Sequence, residues 1–143
     1  KVNSMADVQL RFNLAAQALT RLLEENSLGI PIIVEGKKDT KALRELGFTG
    51  TIEQLNRGWD LDRFCTHLLE TYGTRNSEGG AVLELLMDWD RTGTTLQKKL
   101  FVKLQSLDVK VSQEARKVLS RALKPETRYV ESLNSIGLEE FIQ

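Results

Sequence analysis

The chain of 143 residues carries 20 basic and 20 acidic side chains, is 41% hydrophobic and 28% charged, and is formally neutral at pH 7. Those proportions are ordinary for one globular domain with a hydrophobic core. A single cysteine, Cys65, excludes an intrachain disulfide and a cysteine-rich zinc site. No apolar run approaches the ~18 to 20 residues of a membrane span, and no segment reads as a signal peptide, so a reducing cytoplasm is the expected compartment.

Val8, Phe12, Ala15, Leu19, Leu22 and Leu23 recur at helical spacing, with Ser4 and Asp7 placed as a capping box. Ser4 to about Asn26 therefore reads as an amphipathic helix. Leu28-Gly29-Ile30-Pro31 ends it and leads to a short apolar run, Ile32 to Glu35, expected to be the first strand. Asp39 to Leu46 reads as a short helix closed by Gly47, and Thr51 to Asn56 as a second strand, weakened by Glu53 and Gln54. Leu61, Phe64, Cys65, Leu68, Leu69 and Tyr72 then mark the clearest helix in the chain. Its register puts Cys65 on the buried stripe and His67 on the polar face, where a solvated imidazole is expected.

Thr74 to Gly80 is polar and glycine-containing, a loop. A third strand is expected over Ala81 to Met87, a helix over Thr92 to Ser106, a fourth strand over Val109 to Val111, and a helix over Gln113 to Leu123, ended by Pro125. Apolar residues from Tyr129 to Ile142 predict a tail that packs back on the body. The expected organisation is an N-terminal helix over 1–29, a central α/β domain over 30–124 and a tail over 125–143. Strand followed by helix, repeated, is the grammar of a mostly parallel four-stranded sheet flanked by helices.

In such a sheet, segments that follow different strands gather at one edge. Glu35 follows the first strand, and Asp88 and Asp90 follow the third, so the three acids are expected to meet. Two residues apart, the aspartates project to one side while the chain stays extended. Three carboxylates in a partly dry place repel one another, and a hard divalent cation such as Mg²⁺ relieves this. Around them stand Gly36, Lys37 and Lys38 after the first strand, Asn56, Arg57 and Gly58 after the second, and Arg91 and Gly93 after the third. Gly36 and Gly58 would let backbone approach a ligand, and Gly93 would leave room for an anion at a helix N-terminus. Charge is also unevenly spread: residues 91–128 hold 10 Lys or Arg against 3 Asp or Glu, a net of +7. A basic stretch beside an acidic centre suits a phosphate-backbone substrate, although Lys98, Lys99, Lys103, Arg116, Lys117 and Arg121 could equally solvate outer helices.

Ile33-Val34-Glu35-Gly36-Lys37-Lys38-Asp39 and Leu86-Met87-Asp88-Trp89-Asp90-Arg91-Thr92-Gly93 together resemble the signature of the Toprim domain. That module is shared by topoisomerases, bacterial primases, overcoming-lysogenization-defect nucleases, the 5S ribosomal RNA maturase and RecR recombination proteins. The likeness runs from about Pro31 to Val111 and is strongest to small stand-alone Toprim proteins. It implies a Toprim-like, Rossmann-like fold over 30–124, with Asp88 and Asp90 holding Mg²⁺, or Mn²⁺ in its place, and Glu35 joining them or acting as general acid and base. It further implies that Gly36, Lys37, Lys38, Arg57, Arg91 and Gly93 contact phosphate or nucleic acid. Where topoisomerases often carry a further acid, this chain has Thr92, and neither Tyr72 nor Tyr129 stands as a DNA-linking nucleophile.

The expected activity is Mg²⁺-dependent phosphodiester processing of RNA or DNA, nuclease-like, with RNA maturation as one form. A non-catalytic module binding nucleic acid or protein is the alternative, and a small-molecule phosphohydrolase a more distant third. Structurally, Glu35 could instead serve a helix N-terminus, and Asp88 with Asp90 could be a capping pair. A homodimer is compatible with the apolar residues of the first helix and the tail, and no membrane partner is expected.

Overall fold

In the computed structural model, which describes residues 4–142, four short strands form one parallel sheet in the order β2-β1-β3-β4. They are β1 (Ile32–Val34), β2 (Ile52–Gln54), β3 (Leu83–Leu85) and β4 (Val111–Ser112). Five helices flank them: α1 (Met5–Ser27), α2 (Lys37–Glu45), α3 (Leu61–Tyr72), α4 (Arg91–Ser106) and α5 (Glu114–Leu123). The architecture is the expected α/β, Rossmann-like one.

Alternation along the strands builds a core on each face of the sheet. Ile32, Val34 and Leu86 point to one side, where they meet α1, α2 and α5. Ile33, Leu83, Leu85 and Met87 point to the other and pack with α3 and α4. Strands buried on both faces read as continuous apolar runs, which is why these were visible in the sequence. Glu84 breaks the run, yet it is only 2% exposed. Its carboxylate accepts from the Ala115 N–H at 3.1 Å and so anchors the first turn of α5 to the middle of β3.

Several boundaries differ from expectation. Strand β3 is shorter than the apolar run because only its middle is paired on both sides, although the Leu86 N–H still reaches the Ile33 carbonyl at 2.8 Å. Strand β4 starts later than expected, since Asp108 turns at φ 61° and drops Val109 into the core. Helix α2 begins two residues early, at Lys37, because the Asp39 carboxylate reaches back to accept from the Gly36 N–H at 3.0 Å, the one half of a capping box that a glycine N-cap allows. Only Ser4's half of the α1 box forms: its hydroxyl accepts from the Asp7 N–H, while Asp7 turns its carboxylate toward Arg11 at 3.6 Å. The tail does pack back, as two 3₁₀ turns, Val130–Ser132 and Leu138–Glu140, that bury Val130, Leu133 and Leu138.

Helix α1 is fastened to the sheet by one buried amide. Asn26, 1% exposed, donates to the carbonyls of Ile30 and Thr51, both at 2.9 Å, and accepts from the Gly50 N–H at 2.8 Å. A side chain on Gly50 would collide with the Asn26 carbonyl, at 2.1 Å from its Cβ, so glycine is required for this approach. Asn26→Ala strands three backbone groups at once. Urea unfolding is expected to show a loss of about 2 to 4 kcal/mol.

Candidate metal centre at the seam of β1 and β3

The chain leaves β1 for β2 on one side and later lays β3 on the other, so the sheet has a topological switch point between β1 and β3. Open parallel sheets bind ligands at the carboxyl ends of strands at such a point. Glu35 follows β1 directly, and the segment from Leu86 to Asp90 follows β3 at the same edge. Trp89 turns inward between the two aspartates and is buried, its indole N–H donating to the Thr127 carbonyl at 2.7 Å. The flanking Asp88 and Asp90 are half-buried.

Glu35 and Asp88 feel the charges of the acids around them. Burial raises the proton affinity of Glu35, and the charges of Asp39 and Asp90 add to it. For Asp88, burial is again the largest cause; the Val130 N–H opposes it, while Asp39, Asp90 and Glu35 reinforce it, and the carboxyl is pushed up to about 6. Asp39, absent from the expected site, is a fourth member. It is buried, and burial raises its proton affinity against the Gly36 N–H, with Glu131 on the tail adding repulsion.

Backbone donors hold this loop in place. Asp90 caps α4, accepting from the Gly93 N–H at 2.8 Å, and Asp88 Oδ1 accepts from the Val130 N–H, also at 2.8 Å. The capping role weighed from sequence is therefore real for Asp90, and it coexists with the acids' coupling. Arg116, for which the sequence left a phosphate-attracting and a solvating role open, donates to the carbonyls of Met87 at 3.0 Å and Asp88 at 2.8 Å, and to the Thr94 hydroxyl at 2.9 Å. Burial lowers its proton affinity, while Asp88 and Asp90 counter that shift. No periodicity could have shown this, because the contacts span more than 20 residues.

The surrounding residues are placed unequally. Lys37 and Lys38 are exposed on the first turn of α2, and Arg91 is exposed on the first turn of α4. Gly36 is extended at φ −151°, with open space where a Cβ would stand, so backbone there is accessible to a ligand. Gly58 takes φ +81°. At Gly93 the expected space for an anion is filled by the chain itself: a Cβ would lie 2.2 Å from the Asp88 carbonyl. Glycine here lets α4 close on Asp88. The Arg57 guanidinium is committed to Glu53 at 2.7 Å and to the Gln54 carbonyl at 2.9 Å, and it lies over Trp59. His67 is not simply solvated either; its Nε2 meets Glu53 at 3.1 Å, and its ring packs edge-on against Trp59.

Among the described residues, no three His, Cys, Asp or Glu side chains are grouped so as to hold a metal ion. The donor chemistry still suits a hard cation. Among the described residues, none donates to the second oxygen of Asp88 or of Asp90, and Mg²⁺ commonly takes one or two carboxylates and keeps its waters. Asp88, Asp90 and Glu35 are the residues that would hold it.

No family model matches the chain. A UPF0292 protein of Methanosarcina acetivorans is 30% identical over 132 residues, covering 90% of this chain and 85% of that one. The chain belongs to the UPF0292 family. Other UPF0292 relatives include one from Methanosarcina barkeri, 32% identical with 90% and 86% covered, and one from Thermococcus onnurineus, 34% identical with 76% and 74% covered. A solved protein of Aquifex aeolicus superposes with a TM-score of 0.63 at 24% identity, covering 82% of this chain and 96% of its own, and so shares the fold. No helix among the described residues of this UPF0292 chain is long and apolar enough to cross a membrane.

The raised Asp88 carboxyl has a thermodynamic signature. A folded-state value of about 6, above the ordinary 3.8, means the native protein binds more protons than the unfolded chain between those values. Without metal, stability therefore falls as pH rises through that window. Asp88→Asn keeps the acceptor for Val130 and removes the charge. In chelator at pH 7 it is expected to be more stable than wild type by about 1 kcal/mol, allowing for solvent screening, and no more stable at pH 4; thermal melts at both pH values check this.

Proposed function

We propose that the β1/β3 seam is a Toprim-type centre for Mg²⁺-dependent processing of phosphodiester bonds in nucleic acid, a nuclease-like activity suited to RNA maturation. The observation that carries this proposal is that Glu35 and Asp88 follow neighbouring strands at the switch point of the sheet, half-buried and repelled by the acids around them. Structural carboxylates are normally paired with cations, whereas the proton affinities of Glu35 and Asp88 are raised by burial and by the acids around them, as in groups kept for chemistry. Bound there, Mg²⁺ or Mn²⁺ would neutralise charge developing on a phosphate.

The chain's own residues divide the remaining work. Glu35, whose proton affinity is raised, is suited to take or give a proton at an attacking or leaving oxygen. Lys37, Lys38 and Arg91 stand exposed at the starts of α2 and α4, where they can grip phosphate oxygens. Arg116 fixes the carbonyls beside Asp88 and so sets the direction of the carboxylate. From Asp90 the outer face of α4 runs on as a basic track, with a groove of about 550 Å³ floored by Leu61 and Val102 and rimmed by Lys98, Lys99 and Lys103. Cations of this kind supply the salt-dependent part of nucleic-acid affinity.

One observation favours a second reading, a non-catalytic nucleic-acid or protein-interaction module. Asp88 and Asp90 each spend an oxygen on backbone, and no three-acid cage is gathered among the described residues. Binding would then follow the α4 lysines and ignore metal.

Structured RNA and DNA incubated with a Mg²⁺ or Mn²⁺ titration separate the two. Cleavage is expected that needs metal and falls about 100-fold or more in Glu35→Gln and Asp88→Asn, both remaining folded. Equal cleavage by wild type and both variants would remove the centre. Metal-independent binding without cleavage, lost on neutralising Lys98, Lys99 and Lys103, would establish the module instead.

A further inference from the structure

The solvent side of α1 is not uniformly polar. Leu10 and Leu14 are 59% and 45% exposed. With Asp7, Ala18 and Arg21 they follow one another at steps of three or four residues, which places all five on one stripe of the helix. Beside the stripe runs a groove of about 240 Å³, lined in part by Leu14, Ala18 and Leu22 of α1 and Ala115 and Val118 of α5 and otherwise by polar and charged side chains, Arg21 among them. Helices that face water alone carry charged and polar residues in such positions.

The order of residues says what covers the stripe. Leu14 is its midpoint: Asp7 and Arg21 lie equally far before and after it, and so do Leu10 and Ala18. A two-fold axis through Leu14, with the helices antiparallel, sets Asp7 against the partner's Arg21 and Leu10 against the partner's Ala18. Leu14 then meets its own copy. The large Leu10 falls where a small residue and the groove beside Val118 leave room, and opposite charges meet at both ends. An isologous interface must be complementary to itself, and this stripe is so in both size and charge.

We infer that α1 is the seam of an antiparallel homodimer in which a second copy of this chain occupies the stripe and the α1/α5 groove. The interface is independent of the chemistry at the acidic seam, so either can hold without the other. Few apolar side chains are buried by it, and the two Asp7–Arg21 pairs set its register.

Leu14→Cys in the full chain tests the axis directly. Cys65, the native cysteine, is buried and does not compete. A disulfide needs Cα atoms within about 7 Å, whereas the two copies of position 10 would be offset by about 12 Å along antiparallel helices rising about 1.5 Å per residue. Mild oxidation is expected to crosslink Leu14→Cys at least about tenfold faster than Leu10→Cys. In sedimentation, wild type runs as a dimer and Leu14→Glu as a monomer of unchanged helicity. Arg21→Asp shifts the equilibrium toward monomer, and adding Asp7→Arg restores the dimer. A monomeric wild type at all concentrations, equal crosslinking at both positions, a dimer that survives Leu14→Glu, or failure of the charge reversal to restore it would overturn the inference.

Discussion

Glu35 and Asp88 leave neighbouring strands of a parallel sheet at the same edge, and the repulsion this creates is the constraint to which the surroundings answer. Water would remove it, but the strands are buried on both faces and leave the carboxylates half-dry. Neighbouring groups contain it in part. The Val130 N–H steadies Asp88, the Gly93 N–H and the positive end of α4 receive Asp90, and the Gly36 N–H holds Asp39. None of these donors is a full cation aimed at a carboxylate. Arg116 approaches nearest in kind, and it gives its hydrogen bonds to carbonyls and a hydroxyl.

The rest of the fold can be understood as support for that edge. The two cores fix the ends of β1 and β3 from opposite faces, so neither strand end can retreat from the other without opening a core. Helix α5 is pinned twice, by Glu84 at its first turn and through Arg116 to the acid loop, which makes it a brace between the middle of β3 and its end. A separate polar cluster, in which Tyr72, His67 and Arg57 all serve Glu53, secures the outer strand β2 to α3. It is internally satisfied, and it accounts for the only histidine without any chemistry.

Much of this was legible in the sequence because it follows from local rules. Ile32 to Val34 is apolar throughout and Leu83 to Met87 is apolar but for Glu84, as strands covered on both faces tend to be, and the Leu61 to Tyr72 pattern is an amphipathic helix with Cys65 inward. That Glu35 and Asp88 leave neighbouring strands at one edge needed only the parallel rule added to those elements. What escaped depends on contacts between distant segments. Asp39 looked like an ordinary helix-start acid, and its coupling to Asp88 arises from the turn it caps. Arg116 lies on a helix whose rotation about its axis is set by Glu84, and Gly93 looked like an anion site until the backbone of Asp88 filled it. His67 sits on the polar face of α3 as its register demands, but β2 brings Glu53 to that face.

The tail contributes more than packing. Trp89 donates from its backbone to the Arg128 carbonyl and from its indole to Thr127, and Asp88 takes its hydrogen bond from Val130. These partners lie 38 or more residues further along the chain. The sheet's own pairing is made without those bonds, whereas the loop between Met87 and Arg91 is fastened by them. Any change that frees this stretch from the body would therefore loosen Asp88 and Trp89 while leaving the strand pairing untouched.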